Sequence, residues 1–323
     1  MKLNLIMDGN YLLSRLVFTL QKNNLLYGAL YLSLENTISN YKKIYPYNKI
    51  YMVSDSKEKS WRKSILSEYK STRKKDSDID WEFVYKTYNE FKSNLSGVKL
   101  LESPGIEGDD WISFIVNETN NNNESNMIIS NDYDIKQLIS FNFENLWINF
   151  MTNEMFNQEK VFLPKNFKMF VDKVNKLPND DIFNLNDNND FIKMFDKFNT
   201  KYQIVEVNPI ESLISKVISG DVSDNIKSVY QISKNGKTRG IGNKGSLTMI
   251  ESYINEFGEL SLNDPDLYEN IADIICEKKK LPKNNISSII ERIDFNMKLI
   301  DLRINRLPTN ISDKMKKIFN NEI

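Results

Sequence analysis

The chain has 323 residues, 40% hydrophobic and 27% charged, with a formal net charge of −1. That is the composition of a soluble globular protein able to bury a core, with room for one large domain or a main domain and a smaller attachment. It holds no histidine and a single cysteine, Cys276, which excludes Ser–His–Asp triads, zinc proteases, histidine-based nuclease mechanisms, internal disulfides and structural zinc. The near-neutral balance excludes an indiscriminate polyanion binder, so any cations serving a phosphate backbone must be gathered locally. The apolar run at Leu3–Met7 is too short for a signal peptide, and no stretch approaches the ~20 apolar residues of a membrane helix. A soluble, unprocessed, cytoplasmic protein with no membrane partner is expected.

In chain order, β-rich segments are expected at Leu3–Met7, Lys49–Ser54, Val98–Leu101, Asn126–Ser130 and Glu144–Asn149, with helical periodicity over Leu26–Ile44, Trp81–Leu95 and Trp111–Glu118. Strands alternating with helices imply βαβ units and a mostly parallel sheet covered on both faces. Thr119–Asn126 and Pro178–Asp190 are polar and rich in Asn and Asp, and read as surface loops. Beyond them Ser212–Ser219, Ser246–Phe257, Pro265–Lys279 and Asn285–Ile293 look helical, which puts a mainly helical region after about Asp224.

The acids carry the chemistry. Asp8, Asp55 and Asp132 each follow the end of an expected strand. Parallel strands bring their carboxyl ends to one edge of an open sheet, where ligands bind. A single strand-end aspartate more often caps the next helix; three together favour a site. After the third strand comes Glu107-Gly108-Asp109-Asp110 at the start of a helix, more acid than a dipole-favoured first turn requires. Asp132-Tyr133-Asp134 and Gly220-Asp221-Val222-Ser223-Asp224-Asn225 complete the set, the last also readable as a glycine C-cap and polar turn. Carboxylates gathered at one edge repel one another unless divalent cations bind. An all-oxygen set suits magnesium or manganese, and two such ions about 4 Å apart can drive phosphodiester hydrolysis without histidine.

A basic strip follows Asp55. On a helix, Arg62, Tyr69 and Arg73 would share a face with Lys63 and Lys70 beside it, offering cations to phosphates and a ring to a base. A solvated helix is the plainer alternative. Thr238–Gly245 contains Gly240, Gly242 and Lys244 just before a helix, where backbone N–H groups can approach a phosphate.

Taken in order, Asp8-Gly9-Asn10 with Arg15, Asp55, Trp61-Arg62, Tyr69-Lys70 with Arg73, Glu107-Gly108-Asp109-Asp110, Asp132-Tyr133-Asp134 with Gln137, and Gly220-Asp221 with Asp224-Asn225 resemble the 5′-nucleases. The likeness is to the bacteriophage ribonuclease H and flap endonuclease branch, related to the 5′-nuclease domain of bacterial DNA polymerase I. It runs from Asp8 to about Tyr253. It implies an α/β, PIN-like nuclease core over residues 1–224, with basic gateway helices at about 57–95 and an insertion at about 155–200. A helical duplex-binding region with a helix–three-turn–helix element would occupy 225–323.

By that resemblance Asp8, Asp55, Asp109 and Asp132 are principal ligands of one magnesium ion, with Glu107 and Asp110 in the same shell. Asp134, Asp221 and Asp224 organise a second ion, and manganese can substitute. Arg15, Arg62, Lys63, Tyr69, Lys70 and Arg73 contact the nucleic acid, Arg62 and Lys70 at the scissile phosphate. Gly240–Lys244 holds the duplex and a potassium ion. Gly108 stands where the family usually has alanine, Tyr133 where glycine is common, and extra residues lie between Asn225 and Gly240. The implied activity is 5′-3′ exonuclease, flap endonuclease and RNase H cleavage of branched or nicked DNA and RNA–DNA duplexes by a monomer in phage replication, with a single-strand-binding protein or sliding clamp as partner. The alternatives are an inactive structure-specific DNA-binding protein and a PIN-type ribonuclease.

Overall fold

The computed structural model describes residues 3–44, 47–73, 76–139, 145–149, 155–156, 160–162, 203–204, 208–234 and 237–321. The first strands are β1 (Leu3–Asp8), β2 (Tyr47–Val53), β3 (Lys99–Leu101), β4 (Asn126–Ser130) and β5 (Asn145–Asn149). They pair in parallel in the order β3-β2-β1-β4-β5. The sheet continues antiparallel through β6 (Met155–Phe156), β7 (Lys160–Phe162) and β8 (Gln203–Ile204). Central strands buried on both faces read as unbroken apolar runs. Leu5, Ile6 and Met7 of β1 and Met127, Ile128 and Ile129 of β4 are accordingly all fully buried.

Helices α1 (Gly9–Lys22), α2 (Leu26–Ile44), α4 (Trp81–Asn94) and α5 (Gly108–Asn121) flank the sheet; the four-residue α3 (Arg62–Ile65) comes between α2 and α4 in sequence. Residues alternating along a strand face opposite sides. Leu5, Met7, Ile50, Met52, Met127 and Ile129 form one core with α1, α2 and α4. Helix α5 packs on β1, β2 and β4 and buries Trp111, Ile112 and Ile115. Helix α1, absent from the sequence expectation, begins without a loop because Asp8 both ends β1 and caps the helix, accepting from the amides of Asn10 and Tyr11.

The chain divides into two compact units that depart from the expected boundary at residue 224. The α/β unit comprises Met1–Lys59, Asp76–Val207 and Leu307–Ile323; the helical unit comprises Ser60–Lys75 and Asn208–Arg306. The helical unit holds α3, α6 (Pro209–Ser219), the antiparallel hairpin β9 (Gln231–Lys234) and β10 (Lys237–Gly240), α7 (Asn243–Phe257), α8 (Leu267–Lys279) and α9 (Ile286–Ile300). Its core joins Leu213, Ile214 and Val217 of α6 to Met249, Ile250 and Tyr253 of α7, with Ile271, Ile275, Ile289 and Ile293 from α8 and α9. The extra residues between Asn225 and Gly240 thus build a β-hairpin where few strand signals were read. The last helix, α10 (Thr309–Phe319), belongs to the α/β unit: the Phe319 ring stacks on Tyr51 and meets Phe114 edge-on.

Two further expectations change. The basic strip is not one helix: Leu66 leaves helical backbone at φ −130° and Lys70 takes φ +55°, so turns follow α3 through Thr72, and Asp80 caps α4. Thr119–Asn126 is only partly a loop, because α5 runs through Asn121 and Asn126 begins β4 fully buried, hydrogen-bonded to Thr119 Oγ1 and Asn120 Oδ1. Pro178–Asp190 and most of the 155–200 insertion lie outside the described residues. Among the described residues no helix is long and apolar enough to cross a membrane.

Candidate active site

The α/β unit brings its acids together at the carboxyl ends of β1, β2 and β4. Asp8 is 6% exposed, and its Oδ1 accepts from the amides of Asn10 and Tyr11 at 3.1 Å. Its Oδ2 accepts from Ser130 Oγ at 2.8 Å. Burial pushes the Asp8 carboxyl up to about 7; the Tyr11 amide and Ser130 hydroxyl pull it down, while the charges of Asp55 and Asp132 raise it. Desolvation beside like charges is what gathering acids at one edge produces. Ser130 is a relay: its oxygen also accepts from the amide of Asp132 at 3.0 Å. Asp132 in turn accepts from the Asp134 amide at 2.9 Å and the Tyr11 hydroxyl at 3.3 Å. Gly9 makes this corner possible, because a Cβ there would lie 2.7 Å from Val53 O and 2.9 Å from Ser54 Oγ and would strike the Tyr88 hydroxyl.

The second group sits on the turn from β3 into α5. Glu107 and Asp110 are 5% and 1% exposed, and the Glu107 amide donates to Asp110 Oδ2 at 3.1 Å. Glu107, Asp109 and Asp110 each offer a carboxylate oxygen within 4.8 Å of the others. Asp55 joins them, its Oδ1 accepting from the amide of Gly108 at 2.7 Å. The turn is pinned on two sides: the Gly105 amide donates to Ser56 Oγ at 3.2 Å, and Lys314 Nζ of α10 donates to Pro104 O at 2.8 Å.

Asp221 and Asp224 belong to the helical unit. There α6 ends at Gly220, whose φ of +71° and approach to Ile226 O and Lys227 C leave no room for a Cβ. Asp221 pairs with Lys216 at 2.8 Å. Burial pulls the Asp221 carboxyl upward, but the Lys216 ammonium and the hydroxyl and amide of Ser223 bring it down to about 2. Asp224 pairs with Arg73 and accepts from the Tyr69 hydroxyl at 3.0 Å.

These contacts redefine part of the expected nucleic-acid surface. Arg62 is 1% exposed, and its Nε donates to Leu299 O at 2.9 Å with the guanidinium 4.6 Å from the Trp61 ring centre. Tyr69 is 2% exposed, packed in the helical core. Neither presents the surface expected of a phosphate grip or a base-stacking ring; both hold the fold of the helical unit. Arg73 and Lys244 are exposed, Arg15, Lys63 and Lys70 half-buried. Arg15 lies beside the Tyr41 hydroxyl. Gly240 and Gly242 are exposed where β10 runs into α7, and Ser228 Oγ fixes that corner by accepting from the Ile241 amide at 2.9 Å.

Sequence reasoning passed over Tyr11, Ser130 and Lys216. Ser130 was readable only as the last residue of an apolar strand, and Tyr11 only as the third residue of a helix that had not been assigned. Lys216 stands five residues before Asp221, a spacing that gains meaning only once α6 ends at Gly220.

A family model described as 5′-3′ exonuclease, N-terminal resolvase-like domain, matches residues 3–168, just over half of the chain. A 5′-3′ exonuclease of Mycoplasmopsis pulmonis is 28% identical over 250 residues, covering 76% of this chain and 68% of its own. A 5′-3′ exonuclease of Buchnera aphidicola subsp. Schizaphis graminum is 32% identical over 164 residues, 49% of this chain and 55% of its own. Among solved structures, the bacteriophage T5 flap endonuclease in complex with DNA and metal ions superposes with a TM-score of 0.61 at 18% identity, over 99% of this chain and 98% of that one. That likeness carries the fold.

Proposed function

The chain belongs to the 5′-3′ exonuclease family, and from that premise we propose that it is a structure-specific 5′-nuclease hydrolysing branched or nicked DNA and RNA–DNA duplexes at the acidic edge of its α/β unit. The observation that carries this reading is the convergence of Glu107, Asp109 and Asp110, with carboxylate oxygens within 4.8 Å of one another, beside Asp55. The donor set fits a hard divalent cation: every side chain is a carboxylate, and the buried Asp8 lacks a cationic partner among its hydrogen bonds. Divalent ions bound there would supply Lewis acidity to the phosphodiester.

The residues divide the rest of the work. Asp8, Asp55, Asp109 and Asp132 would hold one ion, with Glu107 and Asp110 in the same shell. Burial favours the protonated Asp8 carboxyl up to about pH 7, so a cation held there would compete with that proton. Ser130 and Tyr11 keep the Asp8 and Asp132 oxygens aimed. Asp134, Asp221 and Asp224 are the remaining acids of the expected set, the last two already bearing cationic partners. Lys63, Lys70, Arg73 and Arg15 serve the 5′ strand, and Gly240, Gly242 and Lys244 the duplex backbone. The finer reading takes magnesium as the resident ion with manganese able to replace it, potassium at the Gly240–Lys244 corner, and a cytoplasmic monomer working with a single-strand-binding protein or clamp.

The test is cleavage of a 5′-labelled flap duplex with magnesium, with manganese and with chelator. Metal-dependent release of the flap or of short 5′ products is the expected result. Tight flap binding without cleavage in either metal would replace this reading with that of an inactive DNA-binding scaffold.

A further inference from the structure

Helix α4 carries one phenol into the corner where the strands bearing Asp8 and Asp55 end. Tyr88 is 3% exposed and packs in the core that α1, α2 and α4 share with the sheet. Its hydroxyl and Ser54 Oγ lie 2.9 Å apart in a buried hydrogen bond. The same oxygen covers the bare Cα of Gly9, where a Cβ would strike it. Ser54 precedes Asp55 and Gly9 follows Asp8, so one side chain braces the chain next to each of two acids. Burial first, then the charges of Asp8, Glu102 and Asp55, raise the Tyr88 hydroxyl above its ordinary value against the pull of Ser54. Lys92, one helical turn on, sets its Nζ 4.8 Å from the centre of the Tyr88 ring and pairs with Glu102 just past β3. The Ser54 amide donates at 3.1 Å to Leu101 O, at the end of β3. The phenol is thereby fixed against the ends of β1, β2 and β3 at once.

We propose that Tyr88 is a positioning residue of the acidic edge: its hydroxyl sets the spacing of Asp8 and Asp55, and so their affinity for a divalent ion, without touching that ion. This rests on the reading of those acids as cation ligands. Core packing alone would be served by phenylalanine, since a buried tyrosine needs a partner for its hydroxyl. Here the hydroxyl is given room by a glycine on one strand end and a partner by a serine on the next. Asp8 and Asp55 follow adjacent parallel strands, and the charge of Asp55 works against ionisation of Asp8. Two such acids push apart, so the corner beneath them has to be held by a neutral group. A ring packed along its sides and bonded at its tip resists that push, as a group that supports metal ligands must.

The experiment measures manganese binding without substrate, as loss of the free-ion EPR signal, beside manganese-activated cleavage of a flap duplex. Tyr88→Phe should weaken binding and raise the manganese concentration for half-maximal cleavage, each by about threefold to tenfold. That lies below the 10–100-fold typical of groups that touch a metal ligand directly. At saturating manganese the cleavage rate should return to within about twofold of wild type. Ser54→Ala cuts the same bond from its other end and should give the same shift. The double variant should be no worse than either single one, because two cuts of one bond do not add. Phe91→Leu is the control for packing alone, since that ring stacks on Tyr88 in the same core and carries no hydroxyl. It should lower the melting temperature and leave manganese binding unchanged. Unchanged binding in Tyr88→Phe, an equal shift in Phe91→Leu, or additive losses in the double variant overturns the proposal; should Tyr88→Phe fail to fold, Ser54→Ala is read against Phe91→Leu in its place. A wild-type protein that binds no manganese overturns the cation-ligand reading itself, and does so before any variant is compared.

Discussion

Two pairs of aspartates in this molecule solve the same electrostatic problem in opposite ways. Asp8 and Asp132 of the α/β unit are held by neutral donors, the amides of Asn10, Tyr11 and Asp134 and the hydroxyls of Ser130 and Tyr11. Asp221 and Asp224 of the helical unit are held by cations, Lys216 and Arg73. The outcome is a carboxyl pushed up to about 7 at Asp8 and one held at about 2 at Asp221. An acid kept buried with only neutral donors is poised to take an external cation at the cost of a proton. An acid with an internal cation must first exchange it. A metal ion at either pair would have a different partner to displace: a proton in one, an ammonium or guanidinium in the other.

The largest effects should come from the first pair. Asp132→Asn and Asp8→Asn are each expected to lower cleavage by about 10³-fold or more, the rate equivalent of several kcal/mol of lost charge stabilisation, while flap binding persists. The two should part company in stability. Between the unfolded carboxyl value of 3.8 and about 7, folded Asp8 keeps a proton that the unfolded chain has lost. The metal-free protein therefore loses stability as pH rises through that window. Asp8→Asn removes the loss and should stabilise the metal-free protein at pH 7.5 by a few kcal/mol, ~4 at most. Urea melts in chelator at pH 5 and 7.5 measure it. A wild-type protein equally stable at both would mean that Asp8 is relieved by some route other than protonation.

The second pair should respond in the opposite sense. Lys216→Met leaves the Asp221 carboxylate half-buried without its ammonium. Both side chains keep some exposure, 24% and 15%, so the expected cost is discounted to about 1 kcal/mol. Because Asp221 is held low, its contribution is present above the usual carboxylate value and lost as pH falls toward 2. The variant should therefore begin to unfold in acid at a higher pH than wild type. It should also bind manganese more tightly if Asp221 takes a cation, since no ammonium has to leave; weaker or unchanged binding in calorimetry would confine Asp221 to holding Gly220–Asn225 in place.

What was legible in the chain follows the same division. Leu3–Met7 and Asn126–Ser130 announce themselves because strands buried on both faces must be apolar throughout, and the acids that follow them inherit their place from parallel pairing. Glu107–Asp110 was readable as an acidic helix start. Arg62 and Tyr69 were misplaced because a basic stretch looks solvated in one dimension; their burial depends on Leu299 and Asp224, more than 150 residues away in sequence. The same distance hid α10 from view as a partner of β2 and α5. Local periodicity reports which face is apolar, and says nothing of which remote surface will cover a cation.

Lys70 and Arg73 sharpen the comparison in binding. Each phosphate contact releases about 0.9 of a counterion on duplex DNA. Lys70→Ala should therefore flatten the salt dependence of flap binding by about one unit of slope. Arg73 is already paired with Asp224, so it must exchange one anion for another, and Arg73→Ala should flatten the slope by less. Equal slopes for both variants would show that Arg73 leaves its carboxylate freely; no change in either would remove the segment after Asp55 from the substrate interface.

The smallest effect tests whether neutral framing alone can aim the acids of the α/β unit. Lys314 donates to Pro104 O at 2.8 Å on one side of the Ser103–Ile106 turn, and Ser56 Oγ accepts from the Gly105 amide on the other. Glu107 follows directly, so a turn that drifts carries the Glu107, Asp109 and Asp110 oxygens with it. The Lys314 contact is exposed and adds little to global stability. Lys314→Ala should leave the melting temperature within about 2 °C, yet raise the manganese concentration for half-maximal cleavage about twofold, below the tenfold or more typical of groups that touch a metal ligand directly. Lys298→Ala is the matched control, since Lys298 pairs with Asp294 on the exposed face of α9. If both variants leave the manganese requirement unchanged, the capping of Glu107 by Asp110 and the Asp55–Gly108 bond suffice to hold the turn. A shift confined to Lys314→Ala would make α10 part of the frame on which the acids are aimed.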